Sequence, residues 1–263
     1  MVSQNKIFKR GTNFLDWVLI NNINITNPRQ VRVDKQGTVY IGTWQNELYK
    51  SSDRGQTWVK CSNPIPNRIY YYDFWITSDG DLWATAPEAG TWHSGDGGVS
   101  WSNAGAGYLS GIYRMKNGWL IAKFGDPFAL KKSTDNGLTW TPVQTPGYPY
   151  NFYVTQNDEI ILTIQGPSVG IYKSNDSGTT FTPVHSVPVS FGTSLIYPQF
   201  HKYKSWYYFL VPGYGILKTE KFEQFETIFD EPLVDLLYMD HFGSLVASGA
   251  MEKNSHTFYY NRQ

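Results

Sequence analysis

The chain has 263 residues with 22 acidic and 22 basic side chains, so no net charge draws it to nucleic acid or an anionic membrane. Cys61 is the one cysteine, which excludes an intrachain disulfide and a cysteine-based metal cage. Tyr, Phe and Trp number 19, 15 and 10, ample for a core, and no run of about 18 apolar residues exists to span a bilayer.

The N-terminal MVSQNKIFKRG has no apolar h-region, so no signal peptide is visible. From there the chain reads as short strands punctuated by turn residues, in groups of four. The first group is RQVRVD, TVYIGTW, ELYKSS and TWVKC. The second is IYYYDFWIT, DLWATAP, GTWHSG and VSWSNA. GIYRMK, GWLIAKF, ALKKST and TWTPV make the third, and NFYVTQ, EIILTIQ, GIYKSN and TFTPV the fourth. The fifth is SLIYPQF, SWYYFLV, GILKTE and FETIF. A sixth, VDLLYMD, SLVASGA and HTFYYNRQ, stops one strand short.

Between the third and fourth strands of the first four groups a motif recurs, S-x-D-x-G-x-[ST]-[WF]. It runs from Ser51 to Trp58, Ser94 to Trp101, Ser133 to Trp140 and Ser174 to Phe181, with terminal aromatics 43, 39 and 41 residues apart. A short carboxylate accepts bonds from nearby backbone N–H groups, Gly permits a positive φ, and the hydroxyl adds a local bond. The aromatic is then free to enter a core between sheets. Asp53, Asp96, Asp135 and Asp176 are accordingly read as structural. Two degraded copies keep the phase: ILKTEKFEQFETIF places Phe225 44 residues after Phe181, and IFKRGTNFLDWVLI aligns without a gap on LYKSSDRGQTWVKC, placing Trp17 41 residues before Trp58.

These motifs resemble the Asp-box, or BNR repeat, of sialidase-like β-propellers. The resemblance implies one all-β domain, residues 1–263, built as a six-bladed propeller of four-stranded antiparallel blades. The N-terminal LDWVLI would supply the fourth strand of the last blade and so leave no unpaired edge. A WD40 propeller is disfavoured, since neither its Gly-His nor its Trp-Asp signature recurs. Asp-box proteins are commonly secreted or surface-exposed, and the resemblance alone favours that location.

In such a fold the first strands line a channel. The loops entering them, with those joining second to third strands, form one rim. Aligned on the turn after the first strand (Gly37, Gly80, Gly118, Asp158, Lys204 and Gly243), the groups carry Arg32, Trp75, Tyr113, Tyr153, Gln199 and Tyr238 five residues earlier. Seven residues earlier stand Gln30, Asp73, Gly111, Asn151, Tyr197 and Leu236. Aromatics mixed with amides and charges suit a sugar, because flat rings stack on pyranose C–H faces while polar groups fix orientation. The same aromatics could equally pack between blades. Gln30, Arg32, Trp44, Trp75, Tyr113, Asn151, Tyr153, Tyr197 and Tyr238 are the expected ligand-binding set.

Sialidases hold the substrate carboxylate with three arginines and use a Tyr–Glu pair and an Asp acid/base. Here no arginine lies between Arg114 and Arg262, so the fourth and fifth blades cannot supply the later two. Sialidase chemistry is therefore not expected. Asp73, Glu88 and Asp126 are the rim carboxylates that could serve another glycoside hydrolase or a polysaccharide lyase, each with a solvated loop charge as its plain alternative. The five histidines form no ligand set, and no metal or cofactor is expected. Glycan recognition without chemistry is the leading reading, with that non-sialidase enzyme second and a protein-binding scaffold third.

Overall fold

The computed structural model describes residues 2–3, 6–10, 17–20, 25–45, 47–62, 73–86, 89–105, 107–125, 128–165, 169–188, 199–211, 214–229, 234–239, 245–251 and 254–260. They form β-strands joined by turns. The chain divides into two compact units, Met1–Pro142 and Val143–Gln263.

The first unit opens with a three-stranded sheet, β1 (Val2–Ser3), β2 (Lys6–Arg10) and β3 (Trp17–Ile20). Three four-stranded antiparallel sheets follow, each running in sequence order. They are β4 (Pro28–Val33), β5 (Val39–Thr43), β6 (Leu48–Ser51) and β7 (Val59–Lys60); β8 (Asp73–Ile76), β9 (Leu82–Ala86), β10 (Gly90–Ser94) and β11 (Ser102–Asn103); and β12 (Leu109–Arg114), β13 (Leu120–Gly125), β14 (Phe128–Ser133) and β15 (Thr141–Pro142).

The second unit holds two more such sheets and a final one of three strands. They are β16 (Tyr148–Val154), β17 (Ile160–Gln165), β18 (Val169–Ser174) and β19 (Thr182–Val187); β20 (Gln199–Tyr203), β21 (Trp206–Val211), β22 (Gly215–Thr219) and β23 (Glu226–Phe229); then β24 (Val234–Met239), β25 (Leu245–Met251) and β26 (Asn254–Tyr260). Five complete blades and the three C-terminal strands thus stand where the sequence places six blades. The strand assigned to completing the last blade, Trp17–Ile20, is hydrogen-bonded to Lys6–Arg10 in the N-terminal sheet. The alignment of IFKRGTNFLDWVLI on the repeated hairpin already implies that pairing, since it makes these two strands the third and fourth of a blade.

The second strands are the most buried, as expected of strands covered on both faces. β9 and most of β13 and β21 are sequestered, with Phe74, Leu82 and Trp83 fully buried nearby. The residue on which the groups were aligned lies at positive φ in every described case: Gly37 at 85°, Gly80 at 98°, Gly118 at 84°, Asp158 at 63° and Lys204 at 53°. A tight turn after each first strand sets the register, and the two columns read from sequence match it except in the fifth group, where the Lys204-Ser205 turn is shorter: His201 pairs with Tyr208 as Arg32 does with Tyr40, and Gln199 stands in the second column rather than the first.

The four repeated hairpins share one hydrogen-bond scheme. The Ser hydroxyl donates to the Asp Oδ1 at 2.7 Å in each. The Gly N–H donates back to that Ser Oγ at 2.7 Å in the first and 2.9 Å in the fourth. The N–H of the seventh residue reaches the same carboxylate, at 2.8 Å for Thr57 and 2.9 Å for Thr180. Its hydroxyl donates to the other oxygen, at 2.5 Å for Thr57 and 2.6 Å for Thr180. These donors favour the ionised carboxylate. They hold Asp53 and Asp135 down at about 2, and Asp96 and Asp176 lower still, with the side-chain hydroxyl of the seventh residue the largest cause. The three tryptophans enter apolar clusters between neighbouring sheets. Trp58 packs with Ile7, Ile25 and Ile41, Trp101 with Leu48, Phe74 and Leu82, and Trp140 with Trp83 and Leu120, while in the degraded copy Phe225 packs with Ile171 and Phe209.

Candidate functional site

The first strands carry a register shift at one repeated place. It falls between Pro28 and Gln30, Leu109 and Gly111, Pro149 and Asn151, and Val234 and Leu236. An extra residue bends a strand and re-aims the side chains beside it. The second column, seven residues before the turn, therefore begins where each strand leaves its bulge. The bulge itself presents Arg29, Ser110 and Tyr150 at the same end of their blades.

In the first unit this end of the blades gathers around Asp73, whose side chain is largely buried. Gln30 Nε2 donates to Asp73 Oδ1 at 2.5 Å, and the Arg29 guanidinium lies 3.5 Å from the same oxygen. Tyr108 O–H donates to Asp73 Oδ2 at 3.2 Å. The Gln30 amide is fixed in turn, because its Oε1 accepts the Phe74 N–H at 3.2 Å and so leaves its amide nitrogen for Asp73. Arg32 Nε donates to the Phe74 carbonyl at 3.3 Å, a second tie between the neighbouring first strands β4 and β8. Burial, with the Asp73 charge behind it, raises the Tyr108 hydroxyl above its ordinary value, so that it stays a proton donor. Its ring lies against Gly125. A Cβ there would stand 3.1 Å from Tyr108 Cε1 and closer still to Cδ1, so only glycine leaves the ring its place.

Above this cluster Arg29 sits over the Trp44 ring, 4.6 Å from its centroid. Trp44 is 50 % exposed, held at the end of β5 by its N–H to the Asn27 carbonyl at 3.0 Å. Glu47 is the carboxylate closing the same loop. It is engaged by Lys60 at 2.6 Å and by the Tyr49 hydroxyl at 2.9 Å, on the third and fourth strands of its own sheet.

The sequence-derived set separates accordingly. Gln30, Arg32 and Asp73 come together, and Trp44 joins them through Arg29. Trp75 packs against the cluster of Trp83 and Leu109, and Tyr153 stacks on Phe200 with centroids 4.1 Å apart, both as inter-blade packing. Tyr113 is half-buried on β12. Asn151 accepts the Phe152 N–H on its own side-chain oxygen at 2.9 Å. The backbone of Tyr238 pairs with Val246 in the last sheet. Tyr197, Glu88 and Asp126 lie outside the described residues. Arg29 and Tyr108 are additions. Arg29 is moved into place by a bulge, and Tyr108 by a glycine 17 residues further along the chain. Among the described residues no group of three His, Cys, Asp or Glu side chains converges as a metal site, and no helix is long and apolar enough to cross a membrane.

No family model matches the chain, and no curated protein matches it. Solved structures do. The chain is similar to the GH74 enzyme of Niastella koreensis at 17 % identity and a TM-score of 0.62, covering 89 % of this chain but 38 % of that enzyme. Virginiamycin B lyase from Staphylococcus aureus, in its complex with quinupristin, matches at 16 % identity and 0.62, covering 97 % and 87 %. YCF48 bound to a D1 peptide matches at 16 % and 0.58, covering 88 % and 80 %. These are β-propellers, and the chain has the β-propeller fold.

Proposed function

We propose that the protein recognises a carbohydrate on the rim where its first strands begin, without sialidase chemistry. The four sharp hairpins are read as Asp-box repeats of the sialidase-like kind. The observation that carries the reading is Trp44, an exposed ring on a pinned loop, with Arg29 over it and the Asp73–Gln30–Tyr108 network beneath. An exposed indole gives an apolar face for a pyranose, and the ordered polar groups supply direction. Asp73 gives the second reading its support. A carboxylate held by three donors suits a non-sialidase glycoside hydrolase or a polysaccharide lyase, with Glu88 or Asp126 as the partner carboxylate. A protein-binding scaffold is the third.

The test is a glycan array run with product analysis by mass spectrometry, on wild type, Trp44→Ala and Asp73→Asn. Saturable binding without new chain ends, lost in Trp44→Ala, is the expected result. New reducing or unsaturated ends that vanish in Asp73→Asn would replace recognition by catalysis. Neither binding nor cleavage would turn the assignment to a protein partner.

A further inference from the structure

We infer that Arg32 takes an oxyanion of the ligand on its guanidinium fork, so that the carbohydrate bound at this rim is an acidic one, carrying a carboxylate or a sulfate. The inference rests on the carbohydrate reading above and names the chemical class of its ligand.

The charges of the cluster are unequal. Among the described residues that meet there, two guanidinium groups, Arg29 and Arg32, face one carboxylate, Asp73. Arg29 lies on Asp73, and both Asp73 oxygens are already engaged, Oδ1 by Gln30 and Arg29 and Oδ2 by the Tyr108 hydroxyl. Glu47, the carboxylate of the Trp44 loop, is matched by Lys60. Arg32 is left with a charge that no described carboxylate contacts.

Its donors are unequal too. Arg32 Nε is spent on the Phe74 carbonyl at 3.3 Å, which draws the side chain from β4 toward β8 and fixes the plane of the guanidinium. No other described residue hydrogen-bonds that group, so the edge formed by its two Nη atoms keeps its N–H donors, and Arg32 is exposed. The surrounding protein still strips part of its water. That loss lowers the guanidinium from its ordinary value, and the Asp73 charge opposes the shift only in part. An incoming oxyanion replaces the lost hydration with two parallel charge-assisted bonds, the match a planar fork makes with such a group.

The position ties this fork to the site. Gln30 and Arg32 stand two apart on β4 and share a face, and they hold Phe74 at both ends. Gln30 Oε1 accepts its N–H, while Arg32 Nε donates to its carbonyl. Arg32 is therefore continuous with the network beneath Trp44. A single fork of this kind is not the three-arginine cage of a sialidase. It fits either oxyanion, so probes of both kinds are needed.

The experiment measures, by titration calorimetry, the affinity of matched oligosaccharides of one backbone, neutral, uronate-bearing and sulfated, for wild type, Arg32→Gln, Arg32→Lys and Trp44→Ala. Wild type should bind an acidic probe roughly tenfold or more tighter than the neutral one, the scale of hydrogen bonds to a charged group. The acidic probe that carries the preference identifies the oxyanion. Arg32→Gln should erase the preference and keep wild-type affinity for the neutral probe, which separates charge recognition from folding. Arg32→Lys keeps the charge without the fork and should retain only part of the preference, and it decides the matter if Arg32→Gln does not fold. Trp44→Ala should lose all three probes. No preference in wild type, or a preference that survives Arg32→Gln or is undiminished in Arg32→Lys, would overturn the inference and leave carbohydrate recognition standing. No saccharide binding by wild type would overturn both.

Discussion

Replacing Gly137 by alanine isolates what the repeated glycine does for packing. Gly37, Gly118 and Gly137 share nearly one backbone angle, with φ of 85°, 84° and 85°. A Cβ at Gly37 or Gly118 meets nothing within 4 Å, whereas at Gly137 it would stand 2.8 Å from Trp83 Cζ3 and closer to Cη2. Trp83 is fully buried against Leu109, Leu120 and Ala122 and cannot swing away. The left-handed conformation costs an L-residue roughly 1–2 kcal/mol, part of it offset by about 0.4–1 kcal/mol from a stiffer unfolded chain. Gly37→Ala and Gly118→Ala should therefore lose about 1 kcal/mol. Gly137→Ala adds an overpacking cost of about 1–3 kcal/mol. Equilibrium urea unfolding, followed by tryptophan fluorescence and far-UV circular dichroism, reads the difference. An extra 2 kcal/mol moves the midpoint by about 1 M when the slope is about 2 kcal/mol/M. In a Trp83→Phe background, where the ring no longer reaches, Gly137→Ala should cost no more than Gly37→Ala. Equal losses at the three glycines in wild type, or no relief from Trp83→Phe, would refute the argument.

Ser51→Ala removes the acceptor of the buried Gly55 N–H, held at 2.7 Å, and should cost about 1–3 kcal/mol in the same assay. The hairpin aspartates are held below their ordinary 3.8, so the stability they give is complete above pH 4 and is lost as pH falls towards 2. Asp53→Asn and Asp135→Asn should each flatten that acid limb, as shown by unfolding midpoints taken from pH 5 to pH 2. Burial brings the Lys123 amine down from 10.5 to about 8, so the unfolded chain holds the extra proton between those values and wild-type stability should climb across that window. Lys123→Met should abolish the climb and raise stability at pH 7 by up to about 3 kcal/mol, checked by urea midpoints against pH.

Much of the architecture was written locally and could be read. Hairpin geometry depends on residues within eight positions of one another, and the turns on single glycines or their left-handed substitutes, so short windows of sequence carry them. The site was only half legible for the opposite reason. Gln30 and Asp73 fall in a shared column and were both singled out, one as a ligand-binding residue and the other as a catalytic carboxylate, though not as partners. Arg29 enters through a one-residue bulge, which shifts the alternation that a column count assumes. Tyr108 depends on Gly125 being bare, a contact between a loop and the end of another strand. Trp75 and Tyr153 show the limit from the other side. An aromatic on a first strand carries the same letter whether it faces a channel or the next sheet, and the packing partner decides. For Tyr153 that partner is Phe200, 47 residues away.

The repeat also holds a constraint that its consensus letters conceal. Three residues beyond the terminal aromatic of successive hairpins stand Ile20, Cys61, Ala104 and Val143. A Cβ at Gly55 would meet Ile20 Cδ1 at 3.0 Å, one at Gly98 would meet Cys61 Sγ at 3.0 Å, and one at Gly178 would meet Val143 Cγ1 at 3.0 Å. At Gly137 the reach comes from Trp83, while the corresponding residue is the small Ala104. Each glycine is thus a socket for the preceding sheet, and the carboxylate scheme holds the socket in shape. The two degraded copies follow from this. The N-terminal one has lost the Ser, Asp and Gly of the motif yet keeps Ile20, because Ile20 is the plug for the intact socket at Gly55. In the fifth, Phe222 keeps a left-handed φ of 61° and its N–H bonds Thr219 Oγ1 at 3.0 Å, but its ring is buried with Tyr207 and Phe209. A socket has there been exchanged for a side chain that fills the core itself, and with the glycine gone the consensus around it had no remaining geometry to protect.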